Sequence, residues 1–111
     1  MIAPFWIGQG DRLPYYRIVV RDETGVVTLS DVATVTFRMK LISTASVLVS
    51  AAAVITDALN GEAEYRWGVA DTATVGEYAS SFEFMTNAGL KYTLPRNTIA
   101  KIIVEEREAT G

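Results

Sequence analysis

Two carboxylates stand two residues apart in the segment GEAEYRW, at Glu62 and Glu64. In an extended strand, residues i and i+2 lie on the same face, so these acids have the spacing from which a glycoside hydrolase could build its acid pair. Tyr65 and Trp67 fall on the opposite face. We therefore expect Glu62 and Glu64 to be solvated charges on an exposed strand face, not a catalytic pair.

A second stretch with possible chemistry is GQGDRLPYY, which begins at Gly8. A phosphate-binding glycine loop follows a strand and opens a helix, whose N-terminus faces the anion. Here Asp11 would repel a phosphate, a third glycine is missing and Pro14 leads into a strand pattern. The segment is therefore predicted to be a turn.

Other reactive groups are scarce. The chain has no cysteine and no histidine, which removes thiolate and imidazole metal ligands and excludes serine–histidine and cysteine–histidine catalysis. The acids Asp57, Glu62 and Asp71 do not have the spacing of a calcium loop. We expect a protein that is not an enzyme and binds no cofactor or metal.

Charge and hydropathy indicate which classes of partner the chain does not bind. The net charge of −3 and the absence of a lysine or arginine run argue against nucleic-acid binding. The longest apolar tract, around AAAVI, is far too short to span a membrane, and the N-terminus lacks the features of a signal peptide. We expect a soluble protein that contacts neither nucleic acid nor membrane.

The elements that would position these groups are strands. In TVTFRMKL apolar and polar residues alternate, with Val35, Phe37, Met39 and Leu41 on one face. The same period predicts strands in YYRIVV, in VLVSAAAVITD, in GEAEYRW, in GEYASSFEFM, in LKYTLP and in NTIAKIIVEE. Turns are predicted at DETG and at Asn60-Gly61. The pattern predicts an all-β, antiparallel β-sandwich of about seven to eight strands.

The segment DTATVGEYAS has the pattern of a tyrosine corner, in which a phenol hydroxyl bonds to the backbone a few residues upstream. Tyr78 is the candidate, and Gly76 would relieve crowding beside it. A proton donor in a site is the other interpretation of Tyr78. No titratable partner stands nearby in the sequence, so we expect a structural corner.

A resemblance to a known family rests on the order of several short motifs. IGQGDRLP (residues 7–14) resembles that family's I-x-Q-G-D-x-L-P, and LSDVATVTFRMK (29–40) resembles L-T-G-A-x-V-x-F-x-M. AVITD, GEAEY, DTATVGEY, FEF and LPRN follow in the family's order and spacing. The chain, from about residue 5 to residue 104, is thus similar to the small immunoglobulin-like domain at the N-terminus of tailed-phage baseplate upper proteins.

The resemblance implies an immunoglobulin-like sandwich and a place in a phage virion after synthesis in the host cytoplasm. It implies a non-enzymatic structural protein that docks on or decorates the baseplate, tail, neck or head. The partners it implies are other virion proteins, and the chain is expected to form a homo-oligomer or a symmetric multi-copy assembly. The resemblance brings no catalytic residue. A carbohydrate- or receptor-binding adhesion module is the alternative. One domain over residues 1–111 is expected, with short arms at about 1–4 and 105–111.

Candidate partner contacts are aromatic. Phe5 and Trp6 are adjacent, so in an extended chain they point in opposite directions and one of them is exposed. Tyr15 lies opposite the apolar face of its strand. Two interpretations stay open: Trp6 covers the open end of the sandwich, or Phe5, Trp6 or Tyr15 anchors a partner.

Overall fold

A computed structural model describes residues 4–22, 24–95 and 100–106, and these residues are all-β. They form eleven strands and no helix, so none of the described residues belongs to a helix that could cross a membrane. The strands are β1 (Phe5–Gly8), β2 (Tyr16–Val19), β3 (Arg21–Asp22), β4 (Gly25–Val26), β5 (Val32–Leu41), β6 (Val47–Ala52), β7 (Val54–Asp57), β8 (Glu62–Tyr65), β9 (Gly76–Thr86), β10 (Lys91–Leu94) and β11 (Ala100–Glu105).

Two main sheets and a small ribbon contain these strands. The six-stranded sheet has the order β1-β11-β9-β5-β6, with β10 also paired to β9. The three-stranded sheet has the order β2-β8-β7, and β3 pairs with β4. The expectation of a purely antiparallel fold is wrong for β1, which runs parallel to β11. A parallel pair needs a long connection, and nearly the whole chain lies between these two strands.

The alternation predicted for β5 and β9 is confirmed. On β5, Val35, Phe37 and Met39 are buried, and on β9, Phe82 and Phe84 are buried too. These two strands pair over most of their length and form the middle of the six-stranded sheet. Their buried faces form one continuous apolar surface against which the other sheet packs.

Aromatic rings join the two sheets. The ring of Phe37 stacks on Tyr65 of β8 with centroids 4.3 Å apart. Tyr16 of β2 lies 5.7 Å from Phe82, and Trp67 meets Phe37 edge-on at 5.9 Å. Such ring pairs add to the free energy gained by burying their surface.

The segment predicted as one strand from Val47 to Ile55 is two strands in different sheets. Strand β6 pairs with β5, whereas β7 pairs with β8. The change occurs at Ala53, whose N–H donates to the Val35 carbonyl oxygen at 2.8 Å. Side chains continue to alternate between inward and outward directions through Ala53. Val47, however, is 62% exposed, because the register shift after Met39 places it opposite the exposed Lys40.

The predicted turns form at GQG and at Asn60-Gly61. Of the predicted turn DETG, Asp22 and Gly25 pair between β3 and β4, and Glu23 lies outside the described residues. Gly61 connects β7 to β8 with φ of +67°, and a Cβ there would lie 2.4 Å from the Val27 carbonyl oxygen. Only glycine fits this conformation without backbone movement.

Glu105, predicted as the first residue of a C-terminal arm, belongs to strand β11. Glu105 is the last residue of β11 and pairs with Gly8, and its carbonyl oxygen accepts from the Gln9 N–H at 2.8 Å. The predicted arm residues 1–3 and 107–111 lie outside the described residues.

Candidate partner interface

Phe5 and Trp6 diverge as the extended chain requires. Phe5 turns inward, with its ring 5.0 Å from Tyr16 and 6.1 Å from Trp67. Trp6 turns outward on β1 beside Ile103 of β11 and is 54% exposed. Trp6 therefore lies on the outer face of the six-stranded sheet and does not close an end of the molecule.

Tyr15 is 40% exposed just before β2. The Arg66 guanidinium lies over its ring, 5.5 Å from the centroid. The same guanidinium donates from Nε to Glu64 Oε2 at 2.9 Å. Tyr15 is thus tied to the charged outer face of the three-stranded sheet.

The three predicted contact residues do not form one surface. Phe5 and Tyr16 meet between the sheets, so their outward neighbours Trp6 and Tyr15 point away from the molecule on opposite faces. Trp6 and Tyr15 are separate candidate contacts, and the ring of Phe5 packs among core aromatics.

The expectation for Glu64 as a solvated acid is wrong, because its side chain is only 5% exposed. Its neighbours explain the burial: Arg17 approaches Glu64 Oε1 at 3.3 Å from β2, and Arg66 approaches Oε2 from the other side. Sequence reasoning missed this because Arg17 comes from a strand 47 residues earlier in the chain, and only the fold pairs that strand with β8. Glu62 is half-buried and contacts Arg17 at 3.5 Å.

The hydrogen bond from Arg66, helped by Arg17, holds the pKa of Glu64 below its ordinary value. A general acid in glycoside hydrolysis needs a raised pKa so that it carries a proton at neutral pH. Glu64 has the opposite perturbation, so its environment fits an ion-pair network and not proton donation.

A loop clasp joins residues 8–15 to residues 66–75 at one end of the molecule. Gln9 donates from Nε2 to the Ala73 carbonyl oxygen at 2.9 Å, and Thr72 donates from its hydroxyl to the Asp11 carbonyl oxygen at 2.8 Å. The Trp67 indole N–H donates to the Pro14 carbonyl oxygen at 2.9 Å. The glycine-containing stretch therefore uses its polar groups to bind another loop of its own chain.

Asp71 organises the second loop of the clasp. Its Oδ2 accepts from the Gly68 N–H at 2.7 Å and from the Tyr65 hydroxyl. Burial, and then the Asp71 carboxylate, raise the pKa of Tyr65. The phenol therefore stays protonated and keeps donating.

The corner geometry is present around Tyr78. Its hydroxyl donates to the Thr74 carbonyl oxygen at 2.6 Å, and burial raises the pKa of the phenol. A Cβ on Gly76 would lie 2.9 Å from Leu41 Cδ1 and 3.8 Å from the Tyr78 ring. Gly76 thus makes room mainly for Leu41.

A second polar link inside the molecule was not predicted. The Ser80 hydroxyl on β9 lies 3.2 Å from the Tyr16 hydroxyl on β2 and donates to the Ala100 carbonyl oxygen at 2.9 Å. Burial raises the pKa of Tyr16. The only sequence signal was that Ser80 stands two residues after Tyr78, on the same inward face of the strand.

The described residues contain no group of acids placed to hold a metal ion. No protein-family model matches the chain, and neither does any curated protein. The resemblance to phage baseplate proteins therefore stays a prediction.

Proposed function

We propose that this chain is a non-enzymatic structural protein of a tailed-phage virion, where it docks on or decorates a larger assembly. The observation that carries the proposal is that two motifs of the resemblance bind each other. Gln9 and Asp11 of IGQGDRLP meet Ala73 and Thr72 of DTATVGEY through hydrogen bonds. The two motifs are thus in contact in the fold, and these polar groups bond within the protein.

The strand order supports the finer proposal that the fold is immunoglobulin-like. In variable-type immunoglobulin domains one sheet is formed by strands G, F, C and C′, and B, E and D belong to the other. Here β11-β9-β5-β6 correspond to G, F, C and C′, and β2-β8-β7 correspond to B, E and D.

Tyr78 and Ser80 occupy the matching places on the strand equivalent to F. An immunoglobulin tyrosine corner stands two residues before the second cysteine of the disulfide between strands B and F. The chain has no cysteine, and Ser80 approaches Tyr16 on β2, the B equivalent. A polar contact thus lies where antibody domains have the disulfide.

The surface favours docking over catalysis. An enzyme would offer a pocket with a carboxylate of raised pKa, whereas the pKa of Glu64 is lowered. Trp6 stands on the outer face of a sheet beside Ile103, a flat setting of the kind protein partners use. We infer that the outer face around Trp6 contacts another virion protein.

Immunogold labelling of intact particles of the phage that encodes the chain tests the virion proposal. Label at one fixed position on the head, neck, tail or baseplate is expected. Disrupted particles serve as the control for a buried epitope. If neither intact nor disrupted particles carry label, the proposal is wrong and an adhesion module acting outside the particle becomes the better interpretation.

A further inference from the structure

Strand β2 presents an open edge. The three-stranded sheet ends at β2, and no strand of the described residues pairs with its outer side. Edge strands attract further strands unless they are bulged, covered or otherwise blocked. Strands β6 and β7 have register shifts against their neighbours, whereas β2, like β1 and β10, pairs residue for residue.

The hydrogen-bond phase of β2 shows which backbone groups are open. Val20 donates its N–H to the Gly61 carbonyl oxygen at 2.8 Å, just beyond the strand. Bonds alternate along an antiparallel pair, so Ile18 also bonds to β8. The N–H and C=O groups of Arg17 and Val19 therefore point away from β8.

An apolar groove of about 640 Å³ runs beside this edge. It is lined by Ile18 of β2 and, from the other sheet, by Phe5, Phe82 and Leu94, with the Ser80 hydroxyl as a polar contribution. No described residue covers the groove where the three-stranded sheet stops. A strand added at β2 would extend that sheet and cover the groove.

We propose that the added strand is β2 of a second copy, which pairs antiparallel about a two-fold axis at Ile18 and gives a homodimer. In this register Arg17 lies opposite Val19 of the second copy, and each such pair exchanges both N–H···O bonds. The inward residues Ile18 of the two copies meet on the axis. Two three-stranded sheets become one continuous sheet.

The charges on the outer face suit this occupant. Across the joined strands the row is Glu62, Val19, then Arg17 and Glu64 of the second copy. No like charges stand directly opposite each other, and Arg17 of each copy lies on one row with its own Glu64 and, beyond Val19, with Glu62 of the other copy. This self-complementarity favours a second copy over an unrelated strand.

Sedimentation equilibrium of the full chain over a range of concentrations tests the dimer. V19K places a cation opposite Arg17 of the second copy at two symmetric positions, so the dimer is expected to weaken by about tenfold. V54K is the matched control, because Val54 is on the outer face of the same sheet at its other edge and is 40% exposed, against 37% for Val19. V54K should leave the dissociation constant unchanged.

Hydrogen exchange locates the contact. The amides of Arg17 and Val19 should exchange more slowly as the concentration rises, while the amide of Ile18 is already protected in the monomer. A wild-type chain that stays monomeric up to about 1 mM overturns the proposal. So do equal weakening by V54K, a dimer in which these two amides stay unprotected, and capture of another protein's strand by a monomeric chain. The test uses the isolated chain, so its result is independent of the virion location.

Discussion

The two ends of the molecule are held by different means. At the end with the loop clasp, side chains such as Gln9, Trp67 and Thr72 bond to backbone carbonyl groups of the facing loop. At the other end, which we call the hairpin end, the chain reverses near Gly25, Gly61 and Gly89, each of which has positive φ.

The two ends differ in whether side-chain hydrogen bonds or backbone conformations stabilise them. The clasp depends on particular side-chain donors and acceptors, so its residue types are demanding. The hairpin end depends on backbone conformations that glycine adopts without strain. Leu59 and Leu90 are exposed in these turns, so their side chains add little packing there.

The largest effect is expected at the hairpin end, from Gly61→Ala. The substitution combines a positive φ with a Cβ placed against the Val27 carbonyl oxygen, and should lower the free energy of unfolding by about 3 kcal/mol. Gly89→Ala is the control, because φ there is +85° and no atom lies within 4 Å of the Cβ position. It should cost about 1 kcal/mol. Denaturant unfolding measures both, and equal losses would show that the contact with Val27 relaxes freely.

At the clasp, Asp71→Ala should lower the free energy of unfolding by about 2 kcal/mol, since the Tyr65 hydroxyl and the Gly68 N–H both lose a charged acceptor. Asp57→Ala is the counterpart at the hairpin end, where the carboxylate bonds to the exposed Asn60. That change should cost about 0.5 kcal/mol. Similar midpoints in urea for both variants would remove the distinction between the two ends.

Tyr78→Phe sharpens the role of side chains at the clasp end. It removes the bond to the Thr74 carbonyl oxygen and should lower the free energy of unfolding by about 0.5–1.5 kcal/mol. Tyr15→Phe alters an exposed phenol and should stay within about 0.5 kcal/mol of wild type. A Tyr78→Phe variant as stable as wild type would mean that the corner bond contributes nothing.

The smallest effect concerns Glu64, whose ion pairs lie between the two ends. Its pKa is lower in the folded protein than the ordinary value of 4.5, so its stabilising contribution is fully present above that value. The contribution is lost as the pH falls through the folded-state pKa. In thermal melts Glu64→Gln should be less stable than wild type at pH 7, and the gap should narrow as the pH is lowered below 4.5. A gap independent of pH would assign the loss to packing.

Local pattern was sufficient for the inward faces of β5 and β9 and for the position of the corner. Alternation depends only on the geometry of an extended chain, and the corner spans only Thr74 to Tyr78. The same reasoning placed Glu64 on the outer face correctly but called it solvated. Arg17 covers the Glu64 side chain, because the pairing of β2 with β8 places these two residues side by side.

The candidate contacts divide in the same way. The opposite directions of Phe5 and Trp6 follow from adjacency in a strand. That Trp6 and Tyr15 face opposite sides of the molecule depends on which sheet each neighbouring strand joins, and no local spacing contains that information.

The sequence by itself determined that the chain is all-β, which residues of its long strands turn inward, and where glycine turns reverse the chain, because these features depend on neighbouring residues. The tertiary structure decided that β1 lies parallel to β11, that the segment around Ala53 passes from one sheet to the other, and that β2 is left as an open edge. These features depend on which backbone groups pair across long stretches of chain. Every strand offers the same N–H and C=O groups, so only the packed whole selects the partners.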